Sequence, residues 1–361
     1  MESNNTTTNS GTPHYRETFY VGGEWVETAN GKHVLRGQMY VERLIPATVN
    51  KSPKHDPIVF IHGFTRSGAD WLTKPDGKPG WAFYFLARGF EVYLVDIPFR
   101  GRSPWHPDDG TLTSVPVEAL QSLLLHKKYG DWPQAKLHTQ WPGTGEFGDP
   151  NCDQFFRSGL PVVTDTVAQE KATAAAGAAL LDRIGKPTIV VGHSAGGSAP
   201  WLIADKRPKL ISMLIGLEPS GPPFDKKAVM PGPGTVYGVA FSPITYDPPV
   251  DNPLVDLIRQ KIKAPSEELF DGTIQASSPP PRQLTNLKGI RTLVVTAEAS
   301  YHAQYDWIIV EYLNQAGVPA EHMKLEDRGI TGNGHMMFVE ENSDQVAAEI
   351  IKWIDQANTP Q

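Results

Sequence analysis

The pentapeptide Gly192-His193-Ser194-Ala195-Gly196 contains the residue best placed to do chemistry. It follows an apolar, β-branched run at residues 188–191 and precedes a helix-like segment. This spacing fits the G-x-S-x-G nucleophile elbow, in which a strand turns sharply into a helix with the serine strained at the apex. Glycines, which lack a Cβ, would let the strand and the helix approach closely around that serine. We therefore predict that Ser194 is a nucleophile, with an ordinary glycine turn before a helix as the alternative.

A serine hydroxyl is a weak nucleophile, so Ser194 needs a general base that a third group orients. Among the eleven histidines, His335 lies in the glycine-rich loop "TGNGHMMFVEEN", after the last apolar strand pattern and before the terminal helix pattern. We predict that this loop brings the imidazole of His335 over Ser194. His302, in "ASYHAQYD", is the rival base. His193 lies inside the elbow, where we expect it to point away from Ser194 and to pack.

Two carboxylates compete for the role of the orienting acid. Glu218, in "IGLEPSGPP", ends the apolar run that follows the elbow helix, and Glu298, in "VVTAEAS", ends the next run. One helix and one strand fit between Ser194 and Glu218, so Glu218 should emerge on the strand beside the elbow strand. Pro219 is expected to restrict the backbone of Glu218 to extended conformations and so to fix the direction of its carboxylate. We favour Glu218 and keep Glu298 as the alternative acid.

The segments around these residues predict an α/β fold. Residues 19–46 alternate apolar with polar and carry Asn30-Gly31 between their halves, which predicts an antiparallel hairpin. Continuous apolar runs at residues 57–63, 90–98, 187–194, 210–220 and 291–300 suit strands buried on both faces of a mostly parallel sheet. Helix-like segments at residues 80–89, 166–185, 305–317 and 343–357 would cover both faces of that sheet. Asp96 ends the second run, and we expect it to hydrogen-bond to the turn at residues 100–103.

The chain divides into an N-terminal tail and one large domain. Residues 1–16 are predicted to be a disordered tail, and residues 17–357 a single domain. Two long segments, at about 103–159 and 221–281, interrupt the strand and helix pattern and are predicted to form a cap over the site. We expect the aromatic residues of the first segment, Trp105 and Trp141 in particular, to line an apolar substrate pocket above Ser194. In the second segment, residues 252–262 suggest a short helix.

Composition limits the kinds of partner. The 361 residues carry a formal net charge of −7 and contain no basic block, so nucleic acid and anionic membrane surfaces are not expected partners. No apolar run approaches the roughly 18 residues of a membrane helix. The single cysteine, Cys152, and a polar N-terminal segment without a signal-peptide pattern suggest a cytoplasmic protein. We expect a small-molecule substrate, and the oligomeric state stays open, a homodimer included.

No metal or cofactor is expected from the motifs. The sequence contains no H-E-x-x-H, C-x-x-C or P-loop pattern. The chemistry should therefore depend on side chains and backbone groups of the chain itself.

Together these motifs resemble those of the α/β-hydrolase superfamily over residues 17–357. Serine, acid and histidine occur in the chain order of that family, and "GQMYVE" at residues 37–42, with "PDGKPGWA" at 75–82, is similar to a branch of serine esterases and lipases. The resemblance implies an α/β-hydrolase fold, a carboxylic ester or lactone substrate and an acyl-enzyme. It also implies an oxyanion hole made from the backbone N–H groups of Ala195 and Phe64. Most members carry their acid at the position of Glu298, and some at that of Glu218.

Other activities on this fold stay open. A lyase or cyclase could use the same residues for proton transfer, and a ligand-binding receptor could use only the pocket. Epoxide hydrolases and haloalkane dehalogenases of this fold are not expected, because they carry an aspartate at the elbow where this chain has Ser194. Labelling of Ser194 by a fluorophosphonate separates a hydrolase from a receptor, whereas only the natural substrate separates a hydrolase from a cyclase.

Overall fold

The N-terminal hairpin forms where the Asn30-Gly31 turn predicts it. In the computed structural model, which describes residues 12–47, 55–125, 130–225 and 234–357, strand β1 (His14–Glu27) pairs antiparallel with β2 (His33–Pro46). Gly31 takes a φ of 74°, which glycine adopts without steric penalty. Because β1 begins at His14, residues 14–16 belong to the sheet and not to the predicted tail. Residues 1–11 of that tail lie outside the described residues.

The other elements alternate as the sequence predicts. The further strands are β3 (Ile58–Ile61), β4 (Val92–Asp96), β5 (Leu112–Thr113), β6 (Val162–Val163), β7 (Thr188–His193), β8 (Ile211–Leu217), β9 (Arg259–Ile262), β10 (Gly272–Gln275), β11 (Arg291–Thr296) and β12 (Ala320–Lys324). The α-helices are α1 (Trp81–Leu86), α2 (Val117–Leu124), α3 (Pro150–Arg157), α4 (Thr166–Ile184), α5 (Ala199–Lys206), α6 (Pro253–Asp256), α7 (Asp306–Gln315) and α8 (Ser343–Ala357). Short 3₁₀ helices lie at Gly68–Trp71, Pro107–Asp109, Pro133–Leu137, Ser194–Ser198, Pro208–Leu210, Thr285–Leu287, Tyr301–Gln304 and Glu326–Arg328.

Eight strands form one sheet in the order β1-β2-β4-β3-β7-β8-β11-β12. β2 pairs antiparallel with β4, and every later pair of neighbours is parallel. The five apolar runs correspond to β3, β4, β7, β8 and β11, which confirms the predicted architecture. The sequence does not predict β12, because "AEHMK" is polar and only partly buried at the edge of the sheet.

The sheet is buried on both faces. Val59 and Ile61 of β3 belong to one hydrophobic core, and Ile58 and Phe60 of the same strand belong to the other. Helices α4, α5 and α7 contribute to the first core, and α1 and α8 contribute to the second. This two-sided burial is what continuous apolar strands require.

Helix α4 shows the local signals that begin and end these helices. The side chain of Asp165 accepts a hydrogen bond from the backbone N–H of Ala168, and Gly185 ends the helix in a left-handed conformation. Small residues let α4 lie close to α5, since a Cβ on Gly177 would come within 2.3 Å of Cδ1 of Ile203. No helix in the described ranges combines the length and the apolar character needed to cross a bilayer.

Asp96 organises the turn after β4. Its buried carboxylate accepts hydrogen bonds from the backbone N–H of Gly68 and from the backbone and guanidinium of Arg102, at 2.8–3.0 Å. Ser103 Oγ donates to the carbonyl oxygen of Asp96 at 2.5 Å. The predicted structural contacts of Asp96 with this turn are therefore confirmed.

The two insertions pack in different places. The first contains α2, α3 and β5, and α2 contributes residues to the cavity beside Ser194. The second contains α6, β9 and β10 and packs against α4 and α7: Ser242 N–H donates to Glu170, and the hydroxyls of Tyr246 and Tyr312 lie 2.7 Å apart. Of the two insertions, only the first contributes described residues to this cavity, and a cap formed by it stays a prediction.

The predicted helix at residues 252–262 is only partly correct. Helix α6 ends at Asp256, and the following residues Arg259–Ile262 pair antiparallel with β10. Hydrogen bonds to β10 stabilise an extended backbone there, so the local apolar pattern does not decide the conformation.

Gly22 lets β1 touch α4, and its replacement tests that contact. It takes a φ of 66°, and a Cβ there would lie 2.7 Å from Cα of Ala176. Gly22→Ala should lower the free energy of unfolding, because left-handed backbone costs an alanine about 1–2 kcal/mol and overpacking a further 1–3 kcal/mol, roughly. Gly31→Ala is the matched control, since its φ of 74° is similar but the nearest atom would lie 3.8 Å from the Cβ. Equal losses of both variants in urea unfolding would contradict the close approach.

Candidate active site

Ser194 lies at a sharp turn between β7 and the helix that follows. β7 ends at His193, and the 3₁₀ helix Ser194–Ser198 continues directly into α5. Ser194 has a φ of 54°, a left-handed conformation that is strained for a residue with a Cβ. The glycines make the turn possible, since a Cβ on Gly196 would lie 2.2 Å from the carbonyl oxygen of His62. The backbone therefore has the geometry of a nucleophile elbow.

Strand pairing places Glu218 beside Ser194. In the parallel pairing of β7 with β8, His193 is opposite Leu217, so Ser194 and Glu218 each follow the last paired residue of its strand. Ser220 Oγ donates to the carbonyl oxygen of Ser194 at 3.0 Å, which ties the two turns together.

The backbone of Glu218 differs from the extended conformation predicted from Pro219. Its φ is 45°, in the left-handed region. Its N–H still donates to the carbonyl oxygen of Val295 in β11 at 3.0 Å, and Pro219 packs so closely on the elbow that a Cβ on Gly197 would lie 2.4 Å from its Cα. Tertiary packing therefore overrides the local preference of a residue before proline.

The carboxylate of Glu218 is fully buried and accepts three hydrogen bonds. Oε1 accepts from the backbone N–H of Ala297 at 2.8 Å. Oε2 accepts from Ser300 Oγ at 2.6 Å and from the ring Nδ1 of His335 at 2.5 Å. The structure thus brings together the acid and the histidine that the sequence favours.

Glu298, the alternative acid, contacts the backbone of the loop that carries His335. Its Oε2 accepts a hydrogen bond from the backbone N–H of Gly332 at 2.8 Å. Glu298 therefore holds the backbone of the histidine loop, whereas Glu218 holds the ring of His335.

Buried polar contacts fix the loop that carries His335. Glu340 is fully buried and accepts from the backbone N–H of Gly334 at 3.0 Å and from Nε2 of His138 at 2.7 Å. His138 belongs to the first insertion, and its neighbour Thr139 donates its N–H to the carbonyl oxygen of Gly332 at 2.9 Å. The first insertion therefore braces the histidine loop directly.

His193 also contacts His335. Its Nε2 donates to the carbonyl oxygen of His335 at 3.0 Å, and the two ring centroids lie 4.5 Å apart. The expectation that His193 only packs is therefore incomplete, because the elbow directs its ring toward the histidine loop. Burial lowers the pKa of His193 to about 3, so this imidazole stays neutral.

The rival base His302 has a different partner. Its Nδ1 lies 2.8 Å from Oδ1 of Asp306, and its ring stacks on that of His335 at 4.8 Å with an interplanar angle of 10°. Ligand atoms of Glu218, His302 and His335 lie within 4.8 Å of one another, a spacing that the ligands of a metal ion could have. The two rings are nearly parallel, so their in-plane lone pairs do not converge on one point, and both Nδ1 atoms already face carboxylates. The geometry favours hydrogen bonding by these three residues.

Burial sets the charge state of the acid and histidine pair. It lowers the pKa of His335 well below the ordinary value, because desolvation disfavours the imidazolium ion. Burial also raises the pKa of Glu218, and the nearby carboxylate of Asp306 adds to that rise. The imidazole of His335 is therefore neutral at neutral pH. With Nδ1–H directed at Glu218, its Nε2 keeps a lone pair that can accept a proton.

The loop after β3 lies directly against Ser194. A Cβ on Gly63 would come within 3.0 Å of Cβ of Ser194, and the ring of His62 braces the loop through its Nδ1, 3.0 Å from the carbonyl oxygen of Gly63. Within the described parts of the chain, the backbone N–H of Phe64 has no acceptor. Ala195 lies in the first turn of a 3₁₀ helix, where N–H groups have no partner inside the helix. These are the two donors that the sequence predicts.

An apolar cavity, here called the Ser194 cavity, opens beside the nucleophile. It is lined by Phe64, Arg66, Val115, Ala119, Leu120, Leu123, Leu124, His193, Ser194, Tyr301, His335 and Met336. Leu120, Leu123 and Leu124 lie on one face of α2 because their spacing is that of a helix. These residues are not among the predicted pocket residues, although their helical periodicity is visible in the sequence.

Trp105 and Trp141, predicted to line the pocket, lie elsewhere. Trp141 is 5% exposed, and its ring packs edge-on against Phe155 of α3 at 5.3 Å. The indole Nε1 of Trp105 donates to the carbonyl oxygen of Gly110 at 3.0 Å, which holds it within its own insertion. Neither belongs to the described residues that line the Ser194 cavity. The first insertion thus turns aliphatic residues toward the cavity, while Trp141 packs in a core.

Residues 143–148, "GTGEFG", have a G-x-G-x-x-G spacing that does not mark a dinucleotide site. They lie in the first insertion before α3, and a 3₁₀ helix rather than a strand of the parallel sheet precedes them. A dinucleotide fingerprint needs a strand before the glycines and a helix directly after them.

Comparison with known proteins defines the family. Residues 58–349 match the alpha/beta hydrolase family, and the chain therefore belongs to it. The chain is 42% identical over 336 residues to the probable secreted lipase phiG of a fungal species (strain ATCC 74256), with 93% of this chain and 88% of that protein covered. Its fold is similar to that of a novel bacterial esterase, with a TM-score of 0.65, 23% identity and 95% of each chain covered.

The fungal relative contradicts the expected cytoplasmic location, because that relative is named as a secreted protein. The expectation depended on the single cysteine and on the polar N-terminal segment. A protein whose two hydrophobic cores cover both faces of its sheet needs no disulfide, so one cysteine does not exclude export.

Proposed function

We propose that this protein is a secreted serine hydrolase that cleaves a carboxylic ester or lactone of a small, largely apolar molecule through an acyl-enzyme. The observation on which the proposal depends is the 2.5 Å contact of Glu218 Oε2 with Nδ1 of His335, beside the strained serine of the elbow. This contact orients a neutral imidazole at the cavity that Ser194 also lines.

Each residue has a separate role in the proposed reaction. Ser194 Oγ attacks the carbonyl carbon of the substrate, and His335 takes up the serine proton and later returns it to the leaving group. The N–H groups of Phe64 and Ala195 stabilise the negative charge on the carbonyl oxygen. A water molecule then releases the acid from Ser194 by the same steps. Glu218 keeps Nδ1 protonated and stabilises the imidazolium while it exists.

The lining of the Ser194 cavity supports a neutral, apolar substrate. Aliphatic residues of α2 and Met336 form much of its surface. Among the described lining residues, Arg66 is the one cation. It is paired with Asp70 through two hydrogen bonds of 2.6 Å and also donates to the carbonyl oxygen of Phe155. Arg66 thus already has a counter-charge, so the cavity does not select for an anionic substrate.

The relatives agree with this proposal. The fungal protein is named a lipase, and the bacterial protein with a similar fold is named an esterase. Secretion is proposed from the name of the fungal relative.

Ser194→Ala tests the nucleophile. Turnover of a short-chain p-nitrophenyl ester should fall by at least about 10³-fold, since the hydroxyl forms the acyl-enzyme. The thermal unfolding temperature should stay close to that of the wild type, because the glycines and not the hydroxyl permit the elbow. Wild-type turnover in this variant would contradict the mechanism.

Glu218→Gln and Glu298→Gln form a matched pair that tests the acid. Glu218→Gln should lower kcat by roughly 10²–10⁴-fold, because the amide cannot stabilise the imidazolium and favours the wrong tautomer. Glu298→Gln keeps an oxygen that can accept from Gly332, so we expect only a few-fold change. The reverse order in steady-state kinetics would assign the role to Glu298.

The pH profile tests the charge state of His335. The neutral imidazole of His335 is the active form. Because burial lowers the pKa of His335 from 6.5, the ring stays neutral until the pH falls below 6.5. For a neutral ester, kcat/KM should therefore be constant around neutral pH and decrease only at pH below 6.5. Thermal unfolding measured over the same range controls for loss of the folded protein. An acidic midpoint at or above 6.5 that persists in Glu218→Gln, where the titrating carboxyl group is absent, would contradict the burial effect on His335.

A further inference from the structure

The residues that line the Ser194 cavity differ in their exposure to solvent. Phe64 and Ala119 are exposed, and Val115 is half-buried. Leu124 and Met336 belong to the second hydrophobic core, and their exposed fractions are only 7% and 1%. The exposed residues therefore mark the mouth of the cavity, and Leu124 and Met336 mark its closed end.

The Ser194 cavity is small. The described residues enclose a volume of about 80 Å³. A pocket for a drug-sized ligand has a volume of roughly 300–1,000 Å³. A cavity of ~150 Å³ holds one benzene molecule, which corresponds to about 25 Å³ for each carbon atom. On this scale the Ser194 cavity has room for about three carbon atoms.

Helix α2, which forms the aliphatic wall of the cavity, is anchored to the protein. The side-chain amide of Gln121 is buried and donates to the carbonyl oxygen of Gly145 at 2.6 Å. Leu124 packs within the second hydrophobic core, and Leu120 and Leu123 pack against that core. An outward movement of α2 would expose this apolar surface and remove the partner of the buried amide, and both changes cost free energy. The folded protein therefore holds the cavity at its small volume.

The acyl group is the part of an ester that must stay beside Ser194. In the proposed reaction the alcohol leaves when the acyl-enzyme forms, whereas the acyl group stays bonded to Ser194 until water releases it. The side chains of Leu124 and Met336 at the closed end are apolar, so a hydrocarbon chain gives up no hydrogen bond when it enters. A short acyl chain therefore fits the cavity in both chemistry and size.

We propose that the Ser194 cavity binds the acyl chain of the substrate and limits it to about three carbon atoms beyond the carbonyl carbon, with Leu124 as the residue that sets the limit. The substrates are then esters of short acids, from acetyl to butyryl. This inference rests on the proposed serine hydrolase function, and it names the acyl group that the enzyme accepts.

A series of p-nitrophenyl esters tests the acyl limit in the wild-type protein. The leaving group is the same throughout the series, so kcat/KM measured below the solubility limit of each ester reports how well the acyl chain fits. We expect the highest kcat/KM between acetate and butyrate and a value at least about tenfold lower for octanoate. The reason is that one methylene too many in an apolar pocket lowers kcat/KM by roughly 10–200-fold.

Leu124→Ala removes an isopropyl group from the closed end and tests the residue that sets the limit. The ratio of kcat/KM for octanoate to that for butyrate should rise at least about tenfold. Leu125→Ala is the matched control, because Leu125 belongs to the same core, is 0% exposed and is not among the described lining residues. This control should also lose stability but keep the wild-type ratio. If Leu124→Ala does not fold, Leu123→Ala replaces it, because Leu123 lines the cavity but is only half-buried.

Three results would overturn the proposal. The first is a wild-type protein that hydrolyses octanoate as fast as butyrate or faster. The second is an unchanged ratio in the cavity variant, which would mean that the acyl chain does not reach this wall. The third is a rise in Leu125→Ala as large as that in the cavity variant, which would reflect a general loosening of the fold. Failure of the proposed function itself would look different, because no ester of the series, acetate included, would then be hydrolysed in a way that depends on Ser194.

Discussion

The hydrogen bond between Glu218 and His335 is the interaction on which the rest of the site depends. A fully buried carboxylate is costly unless its oxygens are paired, and the pairing must come from groups already fixed by the fold. Ala297 and Ser300, at the end of β11, provide two of the donors, and the ring of His335 provides the third. The sheet order β7-β8-β11 therefore determines where the carboxylate lies and, through it, the direction in which Nε2 of His335 points.

Strain at two strand ends is the cost of this arrangement. Ser194 and Glu218 both have positive φ values, 54° and 45°, and each such residue costs on the order of 1–3 kcal/mol. The register of β7 with β8 places both residues at the same edge of the sheet, and the close contact of Gly197 with Pro219 fixes the two turns against each other. The two strained residues are those whose side chains must face His335. Backbone strain of this kind clusters at active sites.

The sequence predicted those parts of the fold and site that follow from local pattern. The apolar runs gave β3, β4, β7, β8 and β11, Asn30-Gly31 gave the hairpin, and the order of elements gave the position of Glu218 beside the elbow strand. The presence of a tryptophan in a sequence does not indicate where its indole ring points, so the prediction that Trp105 and Trp141 line the pocket is wrong. The backbone of Glu218 is not extended as predicted, because the packing of Pro219 on the elbow outweighs the local preference of a residue before proline. Tyr301, which lines the Ser194 cavity, lies in a short 3₁₀ helix. The position of its ring depends on contacts with Trp132 and His335, which no local sequence pattern reveals.

Mass-spectrometric mapping of a fluorophosphonate adduct tests the central claim most directly, because the reagent bonds only to a serine that a neighbouring base activates. The wild-type protein should carry one adduct on Ser194, and Glu218→Gln should form that adduct much more slowly while Glu298→Gln forms it at a rate close to that of the wild type. An adduct on another residue, or labelling of Ser194 that does not depend on Glu218, would contradict the account.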